Sequence, residues 1–261
     1  MLAPAYDHAF SHSLVGEQQR HTSRKWLQRF LTGKKNLHIL EINCGTGEDA
    51  QWLASMGHTV TATDASAAMI QAGQQKIVPA DTKHNPRFMV CSFEQLSGRF
   101  QQQQFDLIFS NFSGLNCVDP DGLLRLDKQL HGLLNDNGYL AIVIFGKYTW
   151  WESFYFLLKG QARNAFRRWT NKKVMVPLTE NTEQPVYYYS TRHFENLLHS
   201  FRKMERRPVG LFVPPSYLEK LMQKNQRVFR LLVALEKIFG AIPSFSGLAD
   251  HTYMLFKKET T

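Results

Sequence analysis

The chain has 261 residues, 43% of them hydrophobic, and its 31 Lys and Arg against 22 Asp and Glu give a formal net charge of +9. This length fits one large α/β domain as well as two small ones. Three cysteines without a Cys-x-x-Cys pair exclude a disulfide framework and a zinc ribbon. The longest apolar run, residues 140–145, is far shorter than the roughly 20 residues that span a bilayer. The first 25 residues lack the apolar core of a secretory signal. We therefore expect a soluble, cytoplasmic protein.

Between residues 36 and 146, short apolar segments alternate with amphipathic ones. The predicted strands are 36–42, 59–63, 87–91, 105–110 and 139–145. The predicted helices are 48–56, 66–76 and 122–134. This alternation is typical of right-handed βαβ units, which build a parallel sheet covered by helices on both faces. The sequence therefore predicts an α/β fold with a doubly wound sheet.

After residue 146 the pattern changes, and aromatic side chains recur at helical spacing among basic ones. The segment 151–173 reads as a basic amphipathic helical region, which Gly160 divides. Further on, the predicted elements are a short extended piece at 186–189, helices at 192–201 and 217–239, and a last strand at 251–256. Most of the net positive charge lies in this second half of the chain.

A Gly-x-Gly turn joins the first predicted strand to its helix. Gly45 and Gly47 allow the backbone to approach a ligand, and the helix that follows offers free N–H groups to a negative group. Asp64 lies 19 residues after Gly45, at the end of the second strand, where a carboxylate can bind both hydroxyls of a ribose. These features predict a ligand that contains a nucleoside.

The charge of the loop narrows the choice of ligand. Gly45-x-Gly47-x-x-Ala50 also fits the dinucleotide fingerprint. However, a carboxylate at Glu41 would repel a pyrophosphate, whereas it suits S-adenosylmethionine, which carries a sulfonium and an ammonium. Asp49 and Asp64 extend this acidic rim. The phosphate-binding lysine of a P-loop is absent, which disfavours ATP.

At these residues the chain resembles the class I S-adenosylmethionine-dependent methyltransferases. The first motif of that family matches at Glu41, Gly45 and Gly47, whereas Asn43 stands where the family has its first glycine. The wider pattern resembles an uncharacterised bacterial branch of the family, through Tyr6-Asp7, Tyr188-Tyr189-Ser190 and Asp250-His251. The resemblance implies a Rossmann-like, doubly wound, seven-stranded and mostly parallel sheet, with an antiparallel final strand and a helical lid inserted after the fifth strand.

The resemblance also implies a cofactor, S-adenosyl-L-methionine, and the residues that bind it. Asp64 would hold the ribose, the residues after it would flank the adenine, and Ser92 and Phe93 would read the adenine. The complete expected set is Glu41, Asn43, Cys44, Gly45, Gly47, Asp49, Asp64, Ala65, Ser66, Met69, Ser92, Phe93 and Asn111. Asn111 could equally serve as a simple cap of its strand.

We expect four segments in the chain. They are an N-terminal helical segment (1–35), the S-adenosylmethionine-binding core (36–146), a lid or substrate insertion (147–217), and a C-terminal helix and strand that complete the same domain (218–261). The aromatic residues of the insertion favour a small, apolar or amphipathic substrate. Segment 151–173 could be a lid, a contact with an anionic membrane, or a helix with a solvated cationic face. Neither the methyl acceptor nor the oligomeric state can be read from the sequence.

The expected activity is in-line methyl transfer from the cofactor to that substrate. His193, His251 and Tyr188 are the candidate catalytic residues, although a lone histidine is more often structural. A nucleic-acid substrate is not expected, because Ser110-Asn111-Phe112-Ser113 replaces the Asn-Pro-Pro-Tyr motif of base methyltransferases. No metal is expected, since His8 and His12 lack a third ligand. The alternatives are an NAD(P)-dependent oxidoreductase and a non-catalytic S-adenosylmethionine-binding protein.

Overall fold

A computed structural model of the chain describes residues 12–77, 85–179 and 182–259. Tyr6, Asp7 and His8, which the sequence analysis singled out, lie outside these ranges.

Seven strands form one sheet in the order β3-β2-β1-β4-β5-β9-β8. Strands β1 to β5 run parallel to one another, whereas β9 is antiparallel to both β5 and β8. The predicted seven-stranded, mostly parallel sheet with an antiparallel last strand is therefore confirmed. The strands are β1 (His38–Ile42), β2 (Thr59–Asp64), β3 (Arg87–Val90), β4 (Phe105–Ser110), β5 (Leu134–Phe145), β6 (Val174–Thr179), β7 (Thr182–Val186), β8 (Phe201–Val209) and β9 (His251–Lys258).

The helices follow the strands on both sides of the sheet. Some of the core helices begin at a side-chain cap; Ser66 accepts a hydrogen bond from the backbone N–H of Met69, and Asp119 accepts one from Gly122. In the described ranges no helix is both long enough and apolar enough to cross a bilayer. The helices are α1 (Leu14–Leu31), α2 (Glu48–Ser55), α3 (Ala67–Gln75), α4 (Leu96–Arg99), α5 (Pro120–Leu133), α6 (Trp150–Leu158), α7 (Ala162–Ala165), α8 (Thr191–Leu197), α9 (Glu219–Lys224) and α10 (Gln226–Phe239).

Successive side chains of the central strands point to opposite faces of the sheet, so both faces are buried. Leu40 and Ile108 pack with α5 and α8 on one face. Ile39 and Leu107 pack with α1, α2 and α3 on the other. This two-sided burial explains why β1 and β4 read as nearly continuous apolar runs.

Three elements differ from the sequence prediction. The helix predicted at 192–201 ends at Leu197, and an unpredicted strand, β8, starts at Phe201. A β6–β7 hairpin occupies part of the insertion. The helix predicted at 217–239 is interrupted at Asn225, which separates α9 from α10. Strand β8 lies at the edge of the sheet, where charged side chains are tolerated, and its charges hid it from the apolar pattern.

Candidate functional site

A cleft of about 350 Å³, partly open to solvent, lies at the carboxyl ends of β1 and β4. These two strands flank the point where the strand order reverses, which is where open α/β sheets bind their ligands. The lining comes from the loop after β1, the start of α2, the end of β4 and one residue of α1. The lining residues are Arg20, Glu41, Asn43, Cys44, Gly45, Thr46, Glu48, Asp49, Asn111 and Phe112.

The carboxylate of Asp64 fixes the loop after β1 from the neighbouring strand. Its Oδ2 accepts a hydrogen bond from the backbone N–H of Gly45 at 2.9 Å, and its Oδ1 accepts one from Ser66 at 2.9 Å. Asp64 is half-buried, and it is not among the residues that line the cleft. Two predicted site residues on adjacent strands are thus in direct contact.

The two glycines of the turn serve different purposes. Gly45 has φ +54° and open space where a Cβ would lie, so the backbone there is bare toward the cleft. Gly47 has φ +79°, and a Cβ on it would overlap the ring of Phe88 on β3. Gly47 is therefore required by packing inside the fold, whereas Gly45 leaves room for a ligand.

Asn43 adopts the left-handed conformation that a glycine would otherwise supply, with φ +54°. Its Nδ2 donates to the Asn111 carbonyl at 2.8 Å, and its Oδ1 accepts from the Ser110 hydroxyl at 2.6 Å. Its side chain also packs against Gly114, where a Cβ would overlap it. The departure from the family glycine thus ties the loop after β1 to the end of β4.

Asp49 is not a free acid, in contrast to the acidic rim expected from the sequence. Arg20 and Arg24 of α1 both form ion pairs with its carboxylate, the latter at 2.6 Å. The Asn111 Nδ2 donates to the same carboxylate at 2.8 Å. These guanidinium groups lower the pKa of Asp49 despite the burial that opposes them. The Asp49 carboxylate is therefore ionised, and the two arginines compensate its charge.

Arg20 is a site residue that the sequence analysis did not identify. Its guanidinium lies 5.0 Å from the ring centre of Phe112 and lines the cleft beside Asp49. The i, i+4 spacing of Arg20 and Arg24 on one helix was the available signal. That spacing did not show that this face of α1 would meet the start of α2.

Glu41 is the least satisfied polar group of the cleft. Its side chain is only 2% exposed, and no described residue donates a hydrogen bond to its Oε2. Burial, followed by the nearby Asp49 charge, raises its pKa well above the ordinary value. Burial and the Glu41 charge also raise the pKa of the adjacent Cys44 thiol, which is therefore not poised as a nucleophile. A cation or a donor beside Glu41 would satisfy this carboxyl.

The residues expected around adenine lie at the carboxyl ends of β2 and β3. Ala65 and Ser66 are exposed, and Met69 is half-buried. Ser92 and Phe93 are half-buried, and the Ser92 hydroxyl donates to Glu94 at 2.7 Å. This bond lowers the pKa of Glu94, so an ionised carboxylate stands beside Ser92.

A buried ionic network holds the insertion against the sheet. Glu152 on α6 pairs with Arg167 at 2.6 Å and with Arg168 at 2.7 Å. Arg168 also lies 3.1 Å from Asp250, whose other oxygen accepts from Gln19 of α1 at 3.1 Å. The basic region 151–173 is therefore not a uniformly solvated cationic face, since Arg168 is buried and Arg167, although exposed, pairs with Glu152.

Two of the three candidate catalytic residues border this network. His251 stacks on Phe145 at 4.7 Å and meets the edge of Phe112, a cleft residue, at 5.3 Å. Burial lowers the pKa of His251 to about 4. Tyr188 lies under the guanidinium of Arg168, 5.0 Å away, and burial raises its pKa.

His193 occupies a different place. It is exposed on α8, and its ring stacks on Tyr189 at 5.8 Å. It does not line the cleft. Over the residues that the structure describes, His, Cys, Asp and Glu side chains form no group of three able to hold a metal ion.

Comparisons with known proteins agree with this geometry. Residues 39–138 match the family model described as a methyltransferase domain. The malonyl-[acyl-carrier protein] O-methyltransferase 1 of Ilyobacter polytropus is 31% identical over 137 residues, 51% of this chain and 47% of that protein. The chain thus spans about half the length of the curated relatives it matches, the second at 58%.

Two solved structures share the fold. A SAM-dependent methyltransferase from Methanosarcina mazei superposes with a TM-score of 0.62 at 20% identity, over 90% of this chain and 98% of that one. The magnesium protoporphyrin IX methyltransferase of Synechocystis PCC 6803, solved with bound SAH, gives 0.59 at 14% identity, over 94% and 85%.

Proposed function

We propose that this chain, whose residues 39–138 match the family model described as a methyltransferase domain, is an S-adenosylmethionine-dependent methyltransferase that transfers a methyl group to a small, apolar or amphipathic acceptor. S-adenosylmethionine, the cofactor of that family, would supply an activated methyl group on a sulfonium and leave as S-adenosylhomocysteine. The segment 36–146 would hold the cofactor, and the insertion 147–217 would cover the acceptor. The segment 1–35 would be an N-terminal helical segment, and 218–261 would complete the same domain.

The buried Glu41 carboxyl carries the cofactor assignment. An unpartnered carboxyl oxygen at 2% exposure is costly unless a ligand satisfies it. A pyrophosphate would bring further negative charge beside this carboxyl and disfavour its ionised form, whereas the ammonium of S-adenosylmethionine would donate to it and favour that form. This observation favours the proposal over a pyridine-nucleotide oxidoreductase.

The remaining cofactor groups have suitable partners around the cleft. The outward part of the Asp64 carboxylate would bind the ribose hydroxyls, since its inner contacts with Gly45 and Ser66 fix its direction. The N-terminus of α2 and the guanidinium of Arg20 would hold the carboxylate of the methionine moiety. Ser92 and the ionised Glu94 that it orients would accept hydrogen bonds from the adenine amine, with Phe93 beside them.

An aromatic wall on the far side of Phe112 supports an apolar acceptor. Phe112, His251, Phe145 and Tyr188 follow one another at ring-centre distances of 5.3, 4.7 and 5.9 Å. Holding acceptor and donor in line in such a water-poor site can be worth roughly 7–11 kcal/mol without any covalent intermediate.

His251 is the better of the two candidate bases. Its ring meets the cleft residue Phe112 at 5.3 Å, and burial lowers its pKa to about 4, so the imidazole is neutral near pH 7. A neutral imidazole can accept a hydrogen bond from the acceptor, although the low pKa makes it a weak base for full proton removal. Tyr188, with a raised pKa, keeps its own proton. His193 has no place in this proposal because it lies away from the cleft.

Calorimetric titration with S-adenosylmethionine and, separately, with NADH tests the proposal. We expect one binding site for S-adenosylmethionine and none for NADH, and release of S-adenosylhomocysteine when a suitable hydroxyl, carboxyl, amine or thiol acceptor is supplied. Binding of NADH alone would support the oxidoreductase. Cofactor binding without turnover across all acceptor classes would support a non-catalytic binding protein.

The finer part of the proposal concerns where the acceptor comes from. An amphipathic acceptor partitions into bilayers, and the proposal includes a peripheral contact of 151–173 with an anionic membrane.

A further inference from the structure

Two helices outside the cofactor cleft present large apolar side chains to solvent. On α6, Leu158 is 73% exposed, and Phe154 and Leu157 are about half exposed. On α10, Leu231 and Ile238 are 61% and 65% exposed. Such side chains are ordinary when scattered singly, but clusters of them mark interaction sites.

The outward face of α10 carries apolar side chains at helical spacing. Its inward residues, Phe229 and Glu236, are buried. Val228, Leu231 and Ile238 recur on the opposite side at helical spacing, all exposed. Helix α10 therefore has a second apolar stripe, and this stripe does not pack against the hydrophobic core.

A row of aromatic rings connects the two helices. Phe154 lies 6.2 Å from Trp150, Trp150 lies 6.2 Å from Phe212, and Phe212 lies 5.5 Å from Phe239 at the end of α10. Phe154 and Phe239, the two ends of the row, are both exposed. The apolar surface is thus continuous from α6 to α10, and we name it the α6–α10 surface.

The acidic side chains of these helices all turn inward. Glu152 is buried between Arg167 and Arg168. Glu236 is buried and accepts backbone hydrogen bonds from Gly210 and Phe212. Glu219 accepts from the first backbone N–H groups of α1.

The basic side chains, by contrast, remain outside. Besides Arg167, which pairs with Glu152, those exposed on or beside α6, α7, α9 and α10 are Lys159, Arg163, Lys172, Lys173, Lys220, Lys224, Arg227, Arg230 and Lys237. An apolar stripe framed by cations, with Glu152 and Glu236 buried, complements a surface that is apolar below and anionic above.

We propose that the α6–α10 surface docks the protein on an anionic lipid bilayer, with the exposed apolar side chains inserted among the headgroups and the cations over the lipid phosphates. The inference deepens the proposed function and rests on it for one point, that the acceptor enters from the bilayer. Because Glu152 of α6 is joined through Arg168 to Asp250, beside His251, docking would place the acceptor side of the site near the lipid. The proposed surface is larger than the contact expected from 151–173 because it includes α10. Arg167 and Arg168 are not part of this surface, because both pair with Glu152.

Co-sedimentation of the full chain with vesicles tests the docking. We expect retention on phosphatidylcholine vesicles with about 30% phosphatidylserine, and weak retention on phosphatidylcholine alone or at about 0.5 M salt. The double variant L231S/I238S should lower partitioning by about tenfold or more. The triple variant R227Q/R230Q/K237Q should lower it similarly on anionic vesicles only. Met204→Ser, half exposed on the edge strand β8, is the matched control and should bind like the parent.

Two results would overturn the docking. One is a parent protein that ignores anionic vesicles, or apolar and charge variants that bind as well as it does. The other is a dimer in sedimentation velocity that L231S/I238S dissolves while vesicles bind nothing, which would assign the surface to a second copy of the chain. If L231S/I238S fails to fold, as judged by its thermal midpoint, the charge variant decides. Titration with S-adenosylmethionine without vesicles reports separately on the proposed function.

Discussion

At the scale of single residues, Asp64 joins the loop to the proposed ligand. Its inner hydrogen bonds come from Gly45 and Ser66, both at 2.9 Å. We predict that Asp64→Ala raises the dissociation constant for S-adenosylhomocysteine by about 10- to 100-fold, because a hydrogen bond to a charged group is worth roughly 1.5–3 kcal/mol. The chain should remain folded, since the side chain lies at the rim. Calorimetry measures the affinity, with the exposed Asp121→Asn as control, and an unchanged affinity would refute the ribose role.

Asn43 and Gly114 form a matched pair across the cleft floor. Asn43→Ala should lower the free energy of unfolding by about 2–3 kcal/mol, since it loses two hydrogen bonds and keeps a strained φ. Asn43→Gly should cost roughly 1 kcal/mol less, because glycine accepts that φ.

Gly114→Ala tests the same contact from the other side. It should be destabilising in the parent, where the new Cβ would overlap Asn43, but much less so beside Asn43→Gly. A double-mutant cycle in urea measures this coupling. Additive effects would show that the two residues do not press on one another.

His251 should give the protein a characteristic pH dependence. Burial, reinforced by Arg168 and opposed by Asp250, lowers its pKa to about 4, against about 6.5 in the unfolded chain. As the pH falls from about 6.5 to about 4, only the unfolded chain takes up this proton, so stability decreases by up to about 1.4 kcal/mol per pH unit. Above pH 6.5 the effect vanishes.

The measurement is urea denaturation across that pH range for the parent and His251→Gln. The variant should lose less stability on acidification, and His199→Gln, exposed on the surface, should behave like the parent. Parallel pH curves for the parent and His251→Gln would contradict the buried neutral imidazole.

At the scale of elements, the insertion depends on one buried guanidinium. Arg168 joins Glu152 on α6 to Asp250 before β9. Arg168→Met would leave the buried Asp250 without its guanidinium partner and Glu152 with Arg167 alone, so we predict a loss of about 3–5 kcal/mol in the free energy of unfolding. Arg163→Met, exposed on α7, should change stability by no more than about 0.5 kcal/mol. Chemical denaturation compares the two variants. Equal losses would show that the ion pairs of Arg168 do not stabilise the fold.

The elements also show what sequence patterns can and cannot predict. Strands β1 to β5 were recognisable because both of their faces are buried, which makes them continuous apolar runs. Strand β8 was missed because an edge strand tolerates charges such as Arg202, Lys203 and Arg206. The break of the last helical region at Asn225 also escaped, since no proline or glycine marks it.

The candidate site was predictable only where it is local in sequence. Gly45 and Asp64 follow from strand ends and spacing, because parallel strands end at one edge of the sheet. The pairing of Arg20 with Asp49, 29 positions away, depends on how α1 crosses that edge, which no local pattern encodes. Because of this long-range contact, Asp49 is ion-paired with Arg20, whereas the sequence predicted an unpaired carboxylate at that position.

At the scale of the whole molecule, acidic and basic side chains occupy different regions. Glu41 lines the cleft at the carboxyl edge of the sheet, whereas exposed cations surround the apolar α6–α10 surface. A net charge of +9 thus need not indicate nucleic acid.

A crystal structure with S-adenosylhomocysteine tests most directly whether the cleft beside Glu41 binds the cofactor. We predict density for the ligand in the cleft, with the ribose hydroxyls on Asp64, the ammonium beside Glu41 and the carboxylate toward Arg20 and the start of α2. The ligand bound elsewhere, or bound with its amino acid moiety turned away from Glu41, would contradict this prediction.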